Sequence, residues 1–128
     1  MKPEPNTLVE ESHHWVARGS KPECVFVLHA PQDMPLFADH FEGSPLLPAF
    51  SQMGELVTRA HRVWPDLGPW EGASNIKFKA PIRPGSQVHM RLTRLRSDTV
   101  KFSMLVQDTV CATGSLAFGC DDAKGLPE

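Results

Sequence analysis

Apolar residues recur at three- and four-residue spacing from Phe50 to Trp64, through Met53, Leu56, Val57, Ala60 and Val63. That period marks one face of an α-helix, and Pro48 and Pro65 bound it, because proline suits a helix start and cannot continue a helix interior. The last third of the chain changes period. Val88, Met90 and Leu92, then Val100, Phe102, Met104 and Val106, then Val110, Ala112, Leu116 and Phe118 alternate with other residues. Three such runs predict antiparallel strands with one buried face, joined by tight turns near Ser97-Asp98 and Gln107-Asp108. Shorter strands are predicted over residues 15–17, over the β-rich run Glu23–His29 and over residues 75–79. One long helix with five or six antiparallel strands predicts an α+β domain whose sheet wraps a single central helix. The polar residues 1–12 and 119–128 are expected to be flexible, which leaves one domain over 13–118.

Composition narrows the class. The chain has 128 residues, 41% apolar and 22% charged, which are globular values. No window nears the roughly 18 apolar residues that span a bilayer, and the N-terminal Met-Lys-Pro-Glu-Pro-Asn lacks the apolar run of a secretory signal. A cytoplasmic protein without a membrane span is the expectation. Cys24, Cys111 and Cys120 are odd in number and widely spaced, so free thiols are expected rather than a disulfide framework or a metal knuckle. His13, His14, His29 and His89 show no metal-ligand spacing, and neither metal nor cofactor is expected.

Net charge is −2, but it is unevenly spread. Between Arg59 and Lys101 nine Lys or Arg face three acids, an excess of +6, while the rest of the chain carries −8. No aromatic-rich RNA motif accompanies these charges, so nucleic acid is not the expected partner. An acidic protein or a phosphate-bearing ligand fits such a surface, as does a plain solvated face.

The stretch His40-Phe-Glu-Gly-Ser-Pro-Leu-Leu-Pro48 runs straight into the predicted helix. Two prolines and a glycine restrict it to few conformations, and the helix start presents backbone N–H groups without intrahelical acceptors beside the histidine. This is where chemistry is expected.

The run Met34-Pro-Leu-Phe-Ala-Asp-His-Phe-Glu-Gly-Ser-Pro-Leu-Leu-Pro48, then a helix, then Ile76-Lys-Phe-Lys-Ala-Pro-Ile-Arg-Pro-Gly85, resembles the hot-dog-fold 3-hydroxyacyl-acyl-carrier-protein dehydratases. In particular it is similar to the divergent dehydratase-like branch of aryl polyene and pigment pathways, in which a Gln also stands at the place of Gln52. The resemblance covers roughly residues 30 to 118. It implies a hot-dog dimer, two long helices embraced by a continuous antiparallel sheet, with acyl tunnels at the subunit interface. It also implies an acyl thioester as substrate, borne by an acidic carrier protein or by coenzyme A, and β-elimination of water as the reaction. An acidic carrier would give the basic second half a purpose.

The resemblance assigns His40 as the base that removes a proton from C2, a task suited to an imidazole titrating near neutrality. It assigns the Leu46 carbonyl to orient that ring, and the Ala49 N–H, at the helix start, to polarise the thioester carbonyl. Phe37, Phe41, Phe50 and Val57 could line an acyl channel, though core packing is the stronger explanation for each. Where these dehydratases carry an Asp or Glu on the central helix, this chain has Gly54, which cannot deliver a proton. Glu55 is one residue on, about 100° around the helix, and its phase together with the i,i+4 spacing to Arg59 predicts a solvated salt bridge opposite the apolar face. Gln52 and His61 are candidates to orient a proton-donating water, and Asp39 to tune His40. Glu42 stands where the loop usually has proline.

Three readings follow. The first is a dehydratase or dehydratase-like lyase with His40 and a helix-terminal N–H carrying catalysis. The second is a hot-dog thioesterase, for which no carboxylate is clearly placed. The third is a non-catalytic acyl-binding subunit that dimerises or pairs with an active relative.

Overall fold

The computed structural model describes residues 8–16, 21–31, 49–83 and 85–119, with the backbone alone described for 49–51. Six strands and one helix account for most of them: β1 (Val9–Val16), β2 (Glu23–His29), α1 (Ala49–Val63), β3 (Trp70–Phe78), β4 (Gln87–Arg96), β5 (Thr99–Val106) and β6 (Thr109–Phe118). They form one antiparallel sheet in the order β1-β2-β4-β5-β6-β3. After β2 the chain passes through α1 to β3 at the far edge, then returns to fill the middle with the meander β4-β5-β6.

The alternation read from the last third sets the register. Phe26 pairs with Met90, Met90 with Met104 and Met104 with Ala112, and all four side chains are buried. The next inward row is Cys24, Leu92, Phe102 and Gly114. Gly114 lacks a side chain for a packing reason, since a Cβ there would stand 2.8 Å from the Phe102 ring. Leu56 and Ala60 of α1, and Trp64 just after it, complete the core against this face, with Met53, Val57 and Val63 packed at its margin. Val57 is therefore accounted for by packing. The β5-β6 turn places Gln107 and Asp108 at positive φ, 53° and 72°, the left-handed pair that a two-residue hairpin requires.

Two strands begin earlier than the sequence pattern predicts. The strand expected over 15–17 begins at Val9, and Leu8 is already in the core, so the ordered domain starts well before residue 13. The strand expected over 75–79 begins at Trp70. Both are edge strands, and their residues lack the strict apolar alternation of a sheet interior.

Candidate active site

Helix α1 begins at Ala49, directly after Pro48, so the Ala49 N–H belongs to the first turn, whose donors have no intrahelical acceptor. Two residues later in phase the helix sends side chains opposite ways. Gln52 is 4% exposed and points into the fold, whereas Gly54 is exposed and a Cβ built on it meets nothing within 4 Å among the described residues. Position 54 thus has room for a side chain and carries none.

Glu55 does not lie in solvent as its helical phase suggested. It is 7% exposed, as is Arg59, with which it forms an i,i+4 ion pair. The helix flank bearing Glu55 and Arg59 is covered by the start of β1, a contact the hydropathy pattern did not reveal. Glu55 Oε2 accepts the Leu8 N–H at 2.8 Å, and Arg59 Nη2 donates to the Leu8 carbonyl at 3.2 Å. The pair therefore clasps both backbone groups of the residue that leads into β1. Glu10 extends the cluster, pairing with Arg62 and, at 2.8 Å, with His13. The sequence did single out the Glu55–Arg59 spacing. Nothing in it marked Leu8 or Glu10 as partners, because a backbone acceptor leaves no residue-type signature.

His61 is likewise occupied. Its Nε2 lies 2.7 Å from the Gly68 carbonyl and its ring meets Phe118 edge-on at 5.1 Å, which ties the end of α1 to the segment before β3. Its role here is structural. The second half of the sequence motif has a comparable anchoring role. Gly85, at φ 81°, donates to the Ala30 carbonyl at 2.7 Å, and Ala30 donates to Ser86 at 2.9 Å. Ile82 is fully buried between them and the core. The chain is thus held at Ala30, just before it enters the segment bearing His40. Beside this anchor lies an open hollow of about 530 Å³ bordered by Arg83, Gln87, His89 and Gln107.

His40, Phe41 and Leu46 lie outside the described residues, as do Phe37, Asp39 and Glu42, and the Phe50 side chain is also outside them. Among the described residues there is no group of three or more His, Cys, Asp or Glu placed to hold a metal ion. Cys24 and Cys111 are buried free thiols, and burial pushes the Cys24 thiol up to about 11 and that of Cys111 upward as well. Neither is a nucleophile at neutral pH. No helix among the described residues is long and apolar enough to cross a membrane.

The basic excess of the second half resolves into pairs and a remainder. Arg59 and Arg62 are matched by Glu55 and Glu10, Arg91 by Glu23 at 3.4 Å, and Arg94 by Asp66 at 2.7 Å. The hydrogen bonds from Arg94 hold the Asp66 carboxyl below the usual aspartate range.

Residues 16–115 match the family model described as ApeI-like, ApeI dehydratase. A 3-hydroxyacyl-acyl-carrier-protein dehydratase, FabZ, of Thermomicrobium roseum is 26% identical over 101 residues, covering 70% of this chain and 68% of that protein. Among solved structures, an uncharacterized protein from Erwinia carotovora subsp. atroseptica superposes with a TM-score of 0.78 at 24% identity, over 88% of this chain and 96% of its own. The dehydratase heterocomplex ApeI:P from Xenorhabdus doucetiae gives 0.75 at 18% identity, over 88% and 97%. The six-stranded sheet around one helix, seen among the described residues, is the hot-dog fold of these dehydratases.

Proposed function

The chain belongs to the ApeI-like dehydratase family, and we propose that it acts on 3-hydroxyacyl thioesters by β-elimination of water, without a side-chain acid on its central helix. His40 takes the proton from C2, and the electron pair moves into the thioester, whose carbonyl oxygen is held by the Ala49 N–H. The Leu46 carbonyl orients the imidazole. The C3–O bond then breaks, and the hydroxyl leaves as water after receiving a proton from a solvent molecule positioned near Gln52. The observation that carries this reading is the pairing of an open Gly54 with a consumed Glu55. The one carboxylate nearby on α1 is locked to Arg59 and Leu8, so it is not free to replace the missing acid.

The substrate is carried by an acyl carrier protein or by coenzyme A in the cytoplasm. A homodimer is the proposed assembly, supported by the unpaired edge strand β3, where Trp70 and Phe78 are 42% and 47% exposed. Aromatic side chains left open on a free edge suit burial by a second copy. Gly54 equally favours one alternative, a non-catalytic acyl-binding subunit. A hot-dog thioesterase has less support, because no carboxylate is free on the open face of α1.

Incubation with a 3-hydroxyacyl carrier protein, followed by intact-mass measurement, separates these readings. Loss of one water from the acyl chain, absent with His40→Ala, is expected. An unchanged acyl-carrier mass supports the binding subunit, and release of the free acid supports the thioesterase.

A further inference from the structure

Once Arg59, Arg62, Arg91 and Arg94 are paired, three lysines of the sheet stand out among the remaining cations. Lys77, Lys79 and Lys101 have no ion pair with any described carboxylate. They share the outer face of the sheet, the side away from α1. Lys101 pairs with Ser115 across β5-β6, and Lys77 pairs with Thr113 across β6-β3, so the two lysines flank these hydroxyls diagonally. Lys79 lies two residues beyond Lys77, its N–H bonded to the Cys111 carbonyl at 2.8 Å. Together with Asn75 they border an open hollow of about 300 Å³ whose floor is formed by Thr113 and Ser115.

Local backbone shape contributes to the hollow. The β3-β6 register slips between Ser74 and Lys77, and Asn75 sits there at φ 54°. An irregularity of this kind re-aims neighbouring side chains, and asparagine is among the few non-glycine residues that adopt the left-handed conformation readily. The result is three ammonium groups, two hydroxyls and a carboxamide facing one space. Among the described residues no acidic side chain borders it. Such a donor set matches a tetrahedral oxyanion carrying two or more charges.

The geometry points to an anion site here for a phosphate group, on the sheet face opposite the proposed catalytic face. It is independent of the dehydratase reading. The shared ligand chemistry is a phosphate ester or polyphosphate, borne by a soluble molecule or by a lipid headgroup.

Inorganic pyrophosphate titrated into the full chain at constant ionic strength, followed by calorimetry, tests this. Saturable one-site binding is expected, weakened about 10-fold by Lys101→Ala and by Lys77→Ala, as loss of one charge-assisted hydrogen bond implies. Arg96→Ala removes the same charge from outside the hollow and should leave binding unchanged. Equal weakening by Arg96→Ala, or binding that never saturates, would overturn the site. Sedimentation with phosphatidic acid vesicles then assigns the source. Retention that depends on Lys101 supports a lipid headgroup, and pyrophosphate binding without retention supports a soluble ester.

Discussion

Glu55 accepts the backbone N–H of Leu8 at 2.8 Å, although 47 positions separate them in the chain. With Arg59 on its other oxygen, this carboxylate fixes the lead into β1 against the flank of α1. Removing one member of a buried pair leaves the other charge without compensation. Glu55→Ala should therefore lower the unfolding free energy by about 3–5 kcal/mol. The more exposed Arg62, paired with Glu10, should cost under about 1 kcal/mol when replaced by alanine. Urea denaturation of the two variants checks this, and equal losses would contradict the buried clasp.

Gly54 stands in mid-helix with open space where its Cβ would be. No steric reason for the glycine exists among the described residues, so Gly54→Ala should stabilise the protein by about 0.5–1 kcal/mol through helix propensity alone. A thermal melt that falls instead would show that the position is packed in the working assembly.

Gly114 behaves oppositely. Its missing side chain faces the Phe102 ring at 2.8 Å and Ile76 at 3.2 Å, and Phe102 is buried with little room to swing. Gly114→Ala should cost about 1–3 kcal/mol as overpacking, measured by the same denaturation. A neutral result would mean the core row of Cys24, Leu92, Phe102 and Gly114 is looser than its register implies.

Burial holds the Cys24 thiol up at about 11 from an ordinary 9.0. A raised thiol pKa means that the unfolded chain loses its proton first. The stabilisation is then complete below pH 9 and disappears as pH rises toward 11. The stability advantage of the native chain over Cys24→Ala should shrink by about 2 kcal/mol across that interval. Denaturation midpoints at several alkaline pH values test this, and a constant difference would contradict it.

The sequence displayed β4, β5, β6 and α1 clearly, because each buries one face and the period of burial is written into residue type. It displayed β1 poorly. That strand offers Glu10 to Arg59 and Arg62 and Trp15 to Trp64, so a polar residue occupies a position that hydropathy reads as solvent. Glu55 was misread for the same reason, since helical phase shows which face is polar but not what covers it. The early part of β3 was hidden in Glu71-Gly-Ala-Ser, an edge with no apolar alternation. That position 54 carries glycine and the next residue a carboxylate was plain from the sequence. That the neighbouring carboxylate is committed elsewhere depended on a backbone contact to Leu8 that no spacing encodes.

The proposed dehydratase works with His40 and without a helix acid. Its most direct test is the rate of water addition to a trans-2-enoyl thioester, the reverse of the proposed reaction, in the native chain, His40→Ala and Gly54→Glu. A slow but measurable native rate is expected, none with His40→Ala, and a gain of about 10-fold or more when Gly54→Glu places a proton donor in the open space. An unchanged rate in His40→Ala, or no native hydration and no gain in a folded Gly54→Glu protein, would contradict it.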